Sequence, residues 1–291
     1  MADRPRRFLL YSLAAIIPAI GLLAGTVASA SARPMTYGST PSAATEAKAL
    51  ATAAVKNLVI GQHPLNQRTG VSSPGKLKGQ SQVQSTNWSG YADTGSSFSK
   101  VSASWTEPSA SCSSRKEQLA AFWVGIDGYS SSSVEQDGTL IECYRGKSYQ
   151  YTWWEMYPTN AIQVVGQTAA AGDAITATVT RSGSSYTLTV TDATHSADSF
   201  TTTQACSSCA NSSAEWIAEA PSGSSSIYPL ADFSSWTASN ASVTEGTTSG
   251  VISSFTDDEI TMVGNSGAIK ALPGALNSSG NGFSVSWERA S

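Results

Sequence analysis

From residue 87 to the end of the chain, apolar positions recur every second residue, and no segment carries a 3.6-residue stripe. Val101, Ala103 and Trp105 alternate with Ser102 and Ser104; Ile175, Ala177 and Val179 alternate with threonines and alanine. Tyr186, Leu188 and Val190 repeat the pattern after Arg181-Ser182-Gly183-Ser184, so this pair of runs predicts a β-hairpin. Phe283, Val285 and Trp287 predict a last strand. Side chains two apart on a strand share a face. Phe122, Val124 and Ile126 therefore face one way, and Trp123, Gly125 and Asp127 the other. By the same rule Tyr149, Tyr151, Trp153, Glu155 and Tyr157 form one row. Many strands joined by Gly/Ser turns predict an all-β chain, an antiparallel β-sandwich of jelly-roll (concanavalin-like) type.

The pattern before residue 84 is different. Residues 1–7 are basic, residues 8–28 are almost wholly apolar, and Ala28-Ser29-Ala30-Ser31-Ala32 offers small-residue cleavage sites. Such a run is also long enough to span a bilayer. Pro18 and the A-x-A exit favour a secretory signal peptide over residues 1–32. The expected protein is secreted and extracellular, with no stable membrane association after cleavage. Residues 33–83 predict a propeptide: an Ala-rich helix over residues 45–59, then a flexible linker over residues 66–85. Residues 84–291 are the expected folded domain.

Charge sharpens this division. Before residue 84 there are nine Lys/Arg and two Asp/Glu; from residue 84 onward there are eight and nineteen. A basic leader on an acidic body makes the propeptide an expected partner of the domain, held by charge and released as carboxylates protonate. Only 13% of residues are charged, and no basic face is available for phosphates, so nucleic acid is not an expected partner.

Cys112, Cys143, Cys206 and Cys209 lie in the body, and in an exported protein they are disulfide candidates. Three pairings are open; a tight Cys206–Cys209 loop with a long-range Cys112–Cys143 bridge is favoured. Without a histidine cluster beside them, no metal and no cofactor is expected. His63 lies in the leader and His195 after the hairpin, with no G-x-S-x-G elbow to partner either. Asp93-Thr94-Gly95 spells an aspartic-peptidase tripeptide, but no second copy exists to share a proton, and the segment is read as a hairpin turn.

Carboxylates and amides remain as candidate chemistry. They sit among aromatics in four segments: around Asp127, in Glu135-Gln136-Asp137, in the Tyr149–Tyr157 row with Glu155, and in Ala214-Glu215-Trp216-Ile217-Ala218-Glu219. Gly125 would let another group approach the backbone closely. An aromatic row also suits sugars, so a carbohydrate-binding or glycoside-hydrolysing jelly roll is the alternative.

In order along the chain, Asn87-Trp88-Ser89-Gly90-Tyr91, Trp123-Val-Gly-Ile-Asp127-Gly, Gln136, Trp153-Trp-Glu155-x-Tyr157-Pro158 and Ala214-Glu215-Trp216-Ile217 resemble the glutamic endopeptidases, or eqolisins. The resemblance covers roughly residues 86–291. It implies a secreted β-sandwich with a basic propeptide that hydrolyses protein or peptide substrates at acidic pH without metal or cofactor, and we expect a monomer. It implies Gln136 and Glu215 as a catalytic dyad, Glu215 acting as general base and acid on water and Gln136 stabilising the oxyanion. Trp88, Trp123, Trp153 and Tyr157 would line the substrate site, with Asp127 and Glu155 as supporting carboxylates. Asp137 follows the glutamine here, where the family usually has threonine.

Overall fold

The computed structural model describes residues 58, 60, 81–113, 116–223 and 226–291. The expected signal peptide, the Ala-rich segment apart from Leu58, and the linker up to residue 80 lie outside them; Ile60 lies between the last two.

Among the described residues the chain forms sixteen strands. The first eight are β1 (Ser81–Ser85), β2 (Trp88–Thr94), β3 (Phe98–Thr106), β4 (Gln118–Asp127), β5 (Val134–Tyr144), β6 (Lys147–Tyr157), β7 (Asn160–Gly166) and β8 (Ala174–Ser182). The remainder are β9 (Ser185–Asp192), β10 (Phe200–Ala205), β11 (Ser213–Glu219), β12 (Ser235–Glu245), β13 (Thr248–Gly250), β14 (Asp257–Val263), β15 (Ile269–Pro273) and β16 (Phe283–Trp287). Strand β1 corrects the linker boundary: residues 81–85 pair in parallel with β14 rather than hanging free. Val83, almost fully buried, anchors them.

The larger sheet runs β7-β6-β5-β4-β11-β2-β14-β15-β16-β12, and the smaller runs β12-β3-β8-β9-β10. Strand β12 belongs to both. Its first part, Ser235 to Ala238, pairs with β16, and its second part, from Ser239, pairs with β3. The register slips between Ser239 and Ser242, where Asn240 has φ 52°. An irregularity of this kind bends a strand and lets it turn the corner between two packed sheets. The result is an antiparallel sandwich, as the alternation predicts.

The hairpin read around residues 181–184 is β8–β9, closed by Gly183 and Ser184 with Ser182 opposite Ser185. The turn read at Asp93-Thr94-Gly95 is no hairpin. Strand β2 lies in the larger sheet and β3 in the smaller, so this connection crosses between layers. Two disulfides form, Cys112–Cys143 and Cys206–Cys209.

Alternation sorts the side chains of the larger sheet onto two faces. Phe122, Val124, Ile126 and Trp216 pack with Val101, Ala177 and Leu188 of the smaller sheet to form the sandwich core. Burial of each large side chain stabilises the fold by roughly 1.5–3 kcal/mol. The opposite face carries Trp88, Trp123, Leu140, Tyr151, Trp153 and Ile217, and on it sit Leu58 and Ile60 from the leader. The candidate chemistry lies on this second face.

Candidate active site

Strand register decides which of the candidate residues meet. Glu215 on β11 lies opposite Ala92 on β2 and Gly125 on β4. Gly125 lies opposite Gln136 on β5, and Gln136 opposite Glu155 on β6. Opposed residues of antiparallel strands share a face. Glu215, Gly125, Gln136 and Glu155 therefore form one transverse row, on the face of Trp123 and Trp153. Strands β11 and β5 are two spacings apart, about 10 Å. The absent side chain at Gly125 leaves space that the edge of the Trp123 ring occupies, between the Glu215 and Gln136 positions of the row.

A methyl group at Gly125 would stand 2.9 Å from the Trp123 ring and 3.3 Å from Gln136 Cβ. Gly125→Ala should therefore displace both neighbours and lower kcat/KM by about 10²-fold, the penalty of a misplacement near 1 Å. Steady-state kinetics checks this, with an unchanged thermal midpoint showing that the fold is intact.

Every member of the row is buried. Gln136 Nε2 donates to Glu155 Oε2 at 2.8 Å and to the Ile60 carbonyl at 2.7 Å. Gln136 Oε1 and both Glu215 carboxyl oxygens make no hydrogen bond among the described residues. Burial pushes the Glu215 pKa well above the ordinary carboxylate range, and the charges of Asp127, Glu135 and Asp93 push the same way. Ser213 opposes the shift without reaching hydrogen-bond geometry. Burial likewise raises Glu155, helped by the Glu219 charge; Gln136 and the amides of Ile60 and Ile162 oppose it.

The other expected site residues divide by distance from the row. Trp88 and Trp123 meet edge to face at 5.0 Å beside it. Trp153 is fully buried on the same face, and Tyr157 packs at its margin. Asp127 ends β4 with φ 70° and sits across the sheet plane as a backbone anchor. It accepts from the amides of Asn211 at 2.7 Å and Ser212 at 2.8 Å, and so fixes the start of β11 just before Glu215. Glu135 and Asp137 point into the sandwich core, the reverse of Gln136, as strand alternation requires.

Glu219, in the fourth candidate segment of the sequence but given no role there, also lies on this face. Glu219 accepts from Trp123 Nε1 at 3.0 Å and from Asn87 Nδ2 at 3.2 Å, holding the indole that borders the row. Its four-residue spacing from Glu215 places both on one face of β11, which is the signal available in the sequence.

His195 lies far from this chemistry in the fold, on the smaller-sheet side, with Nδ1 2.9 Å from Asp173 in a surface loop. Among the described residues, Asp173, Asp192 and His195 cluster closely enough to share an ion, as do Glu135, Cys206 and Cys209. The two cysteines of the second group are joined to each other.

The β-sandwich carries a buried row of carboxyl and amide groups on its aromatic face, and known proteins share the chain's fold and sequence. The Peptidase A4 family matches residues 86–280. Aspergillopepsin-2 of Aspergillus niger is 30% identical over 195 residues, 59% of this chain and 69% of its own. Scytalidopepsin B of Scytalidium lignicola is 35% identical over 139 residues, so the chain spans about half of that relative (51%) and the match takes up 46% of this chain. Scytalido-glutamic peptidase, solved with a peptide-based transition state analog, superposes with TM-score 0.59 at 26% identity, covering 70% of this chain and 98% of that one. Aspergilloglutamic peptidase from Aspergillus niger superposes with TM-score 0.52 at 29% identity, covering 59% and 99%.

The chain belongs to the peptidase A4 family. It is a glutamic endopeptidase. That class displaces the carbohydrate alternative.

Proposed function

We propose that the protein is a secreted acid endopeptidase in which Glu215 and Gln136 are the catalytic dyad. The observation that carries this reading is their shared row across Gly125, with a buried Glu215 carboxyl that makes no hydrogen bond among the described residues. Glu215 takes a proton from water as the water attacks the scissile carbonyl carbon. The Gln136 amide donates to the oxygen as it becomes negative. Glu215, now protonated, passes that proton to the departing amine nitrogen, and the C–N bond breaks. Desolvation is the first cause of the raised Glu215 pKa, so a groove that admits water brings it back toward the ordinary range near 4. The hydrated groove is thus the state in which Glu215 serves as base.

Trp88, Trp123, Trp153 and Tyr157 supply apolar walls for an extended peptide, and Glu155 and Asp127 position Gln136 and β11 respectively. Scytalidopepsin-type eqolisin has been solved in a complex with the tripeptide Ala-Ile-His, which fits a peptide-binding groove here. We assign residues 1–32 to a signal peptide, 33–83 to a basic propeptide and the rest to a monomeric catalytic domain. The two disulfides agree with an oxidising, extracellular location. The reading is tested by digestion of denatured protein near pH 4, in the presence of chelator and pepstatin-type inhibitor, by the wild type and by Glu215→Gln. Activity that persists in the variant overturns the dyad.

A further inference from the structure

The β8–β9 hairpin closes at Gly183 and opens, at its other end, onto a carboxyl cluster. Ile175 near the start of β8 lies opposite Asp192 at the end of β9, and the Ala193 amide donates to the Ala174 carbonyl. This pairing brings Asp173 beside Asp192, where the two like charges repel. His195, on the loop that leaves β9, stands with Nδ1 2.9 Å from both Asp173 oxygens. One ligand atom from each of the three residues lies within 4.8 Å of the other two. Backbone amides hold the cluster in place. Asp192 Oδ1 accepts from Thr194 at 2.8 Å and His195 at 2.7 Å, and Asp173 Oδ2 accepts from Ala170 at 2.7 Å. The His195 side chain is 47% exposed, which leaves a path to solvent.

Asp192 Oδ2 points to a ligand. Asp192 is only 1% exposed, and this oxygen is buried without a hydrogen bond among the described residues. Its sister oxygen is committed to the loop amides, so Oδ2 is the atom turned toward Asp173 and His195. A buried carboxylate oxygen is costly unless a cation or a proton balances it. We propose that Asp173, Asp192 and His195 hold a zinc ion that staples the open end of the hairpin. Two carboxylate oxygens and one imidazole nitrogen form a zinc-type ligand set, with water in the fourth position. Calcium and magnesium favour shells of six or more oxygens and find no place for the imidazole. The doubly charged ion balances both aspartates, whereas a proton shared between them balances one. Zinc on Nδ1 leaves the ring proton on Nε2. The ion joins the start of β8, the end of β9 and the loop toward β10. It lies on the smaller-sheet side, away from the row of Glu215 and Gln136, so its part is in stability and not in peptide hydrolysis.

The untagged protein, stripped of metal by chelator and held at about pH 6, should bind a single equivalent of zinc chloride by isothermal titration calorimetry. Its thermal midpoint should rise by about 5–10 °C at a free zinc concentration near one hundred times Kd. Calcium chloride at the same concentration should leave the midpoint where it is. Cobalt(II) in place of zinc should show visible absorption bands of a nitrogen- and oxygen-ligated ion. Asp192→Asn keeps an acceptor for the two loop amides, and His195→Gln changes a half-exposed side chain, so both variants should fold. Each should weaken zinc binding by more than the roughly 10–100-fold that loss of a supporting partner costs. His63→Ala, which removes the other histidine of the chain, should bind zinc as the wild type does. Failure of the wild type to bind zinc overturns the proposal and leaves a shared proton as the balancing charge. Binding that survives in Asp192→Asn and His195→Gln, or that disappears in His63→Ala, overturns it too, as does a midpoint that calcium raises as far as zinc.

Discussion

Glu215→Gln lowers kcat on a protein substrate by about 10²–10⁴-fold while leaving the fold as stable as before. The two halves of that expectation come from the same fact. Burial favours neutral Glu215, and its oxygens make no hydrogen bond among the described residues, so an amide of the same shape replaces a neutral acid without stranding a described partner. The reaction, however, needs a group that takes a proton and returns it, which glutamine cannot do. Gln136→Leu removes the oxyanion donor and should lower kcat by about 10²–10³-fold. It also strips Glu155 of its 2.8 Å donor, so a stability change should accompany it. Combining the two substitutions should give much less than the product of the single losses, because residues acting on one transition state are not additive. Steady-state kinetics with thermal midpoints for all three variants checks this; equal activity and unchanged midpoints would remove Glu215 from the mechanism.

Much of the fold is legible in period-two alternation because the sheets bury one set of positions against the other. The β8–β9 hairpin, the Phe122 and Trp123 faces and the Tyr149–Tyr157 row all follow from it. The Asp93-Thr94-Gly95 turn was misread as a hairpin because a turn sequence carries no information on whether its strands pair or part into different layers. The same limit hides the bent β12, whose corner depends on the partner strands on either side of Asn240. At the site, alternation places Gln136 and Glu155 on faces of their own strands, but their meeting is a matter of register between strands distant in sequence. Register also explains Glu219, whose role depends on reaching Trp123 across the sheet. Leu58 and Ile60 carry no local signal at all: an apolar pair after an Ala-rich run reads as the end of a helix.

Raising the pH from about 4 to 8 should progressively unfold this protein, the reverse of ordinary acid denaturation. The cause lies in the sandwich core. Glu107 is buried against Trp105 and Thr139, and desolvation raises its pKa from 4.5 to about 8. Burial and the Asp127 charge raise Glu135 to about 9, and burial lifts Asp137 well above its ordinary value. Glu142, on the opposite aromatic face beside Tyr151, rises to about 7, again chiefly by burial. Each folded pKa lies above the unfolded one. Below about pH 4 both states hold the proton and these groups leave stability intact. Above it the unfolded chain loses its proton first, and each group withdraws about 1.4 kcal/mol per pH unit until its folded pKa is reached. For Glu107 that window runs from 4.5 to about 8. A typical fold has only about 5–15 kcal/mol in hand, so several such groups together exhaust it near or above neutrality. Glu107→Gln keeps an acceptor for Trp105 but cannot ionise. It should gain up to about 3 kcal/mol over the wild type at pH 7 and gain nothing at pH 4. Urea midpoints across that range, followed by tryptophan fluorescence, measure the difference; parallel curves for variant and wild type would show that these carboxyls do not govern the loss. An enzyme whose core is built from neutral acids is folded where its dyad is proposed to work, and it loses both the base's context and its fold as the medium turns alkaline.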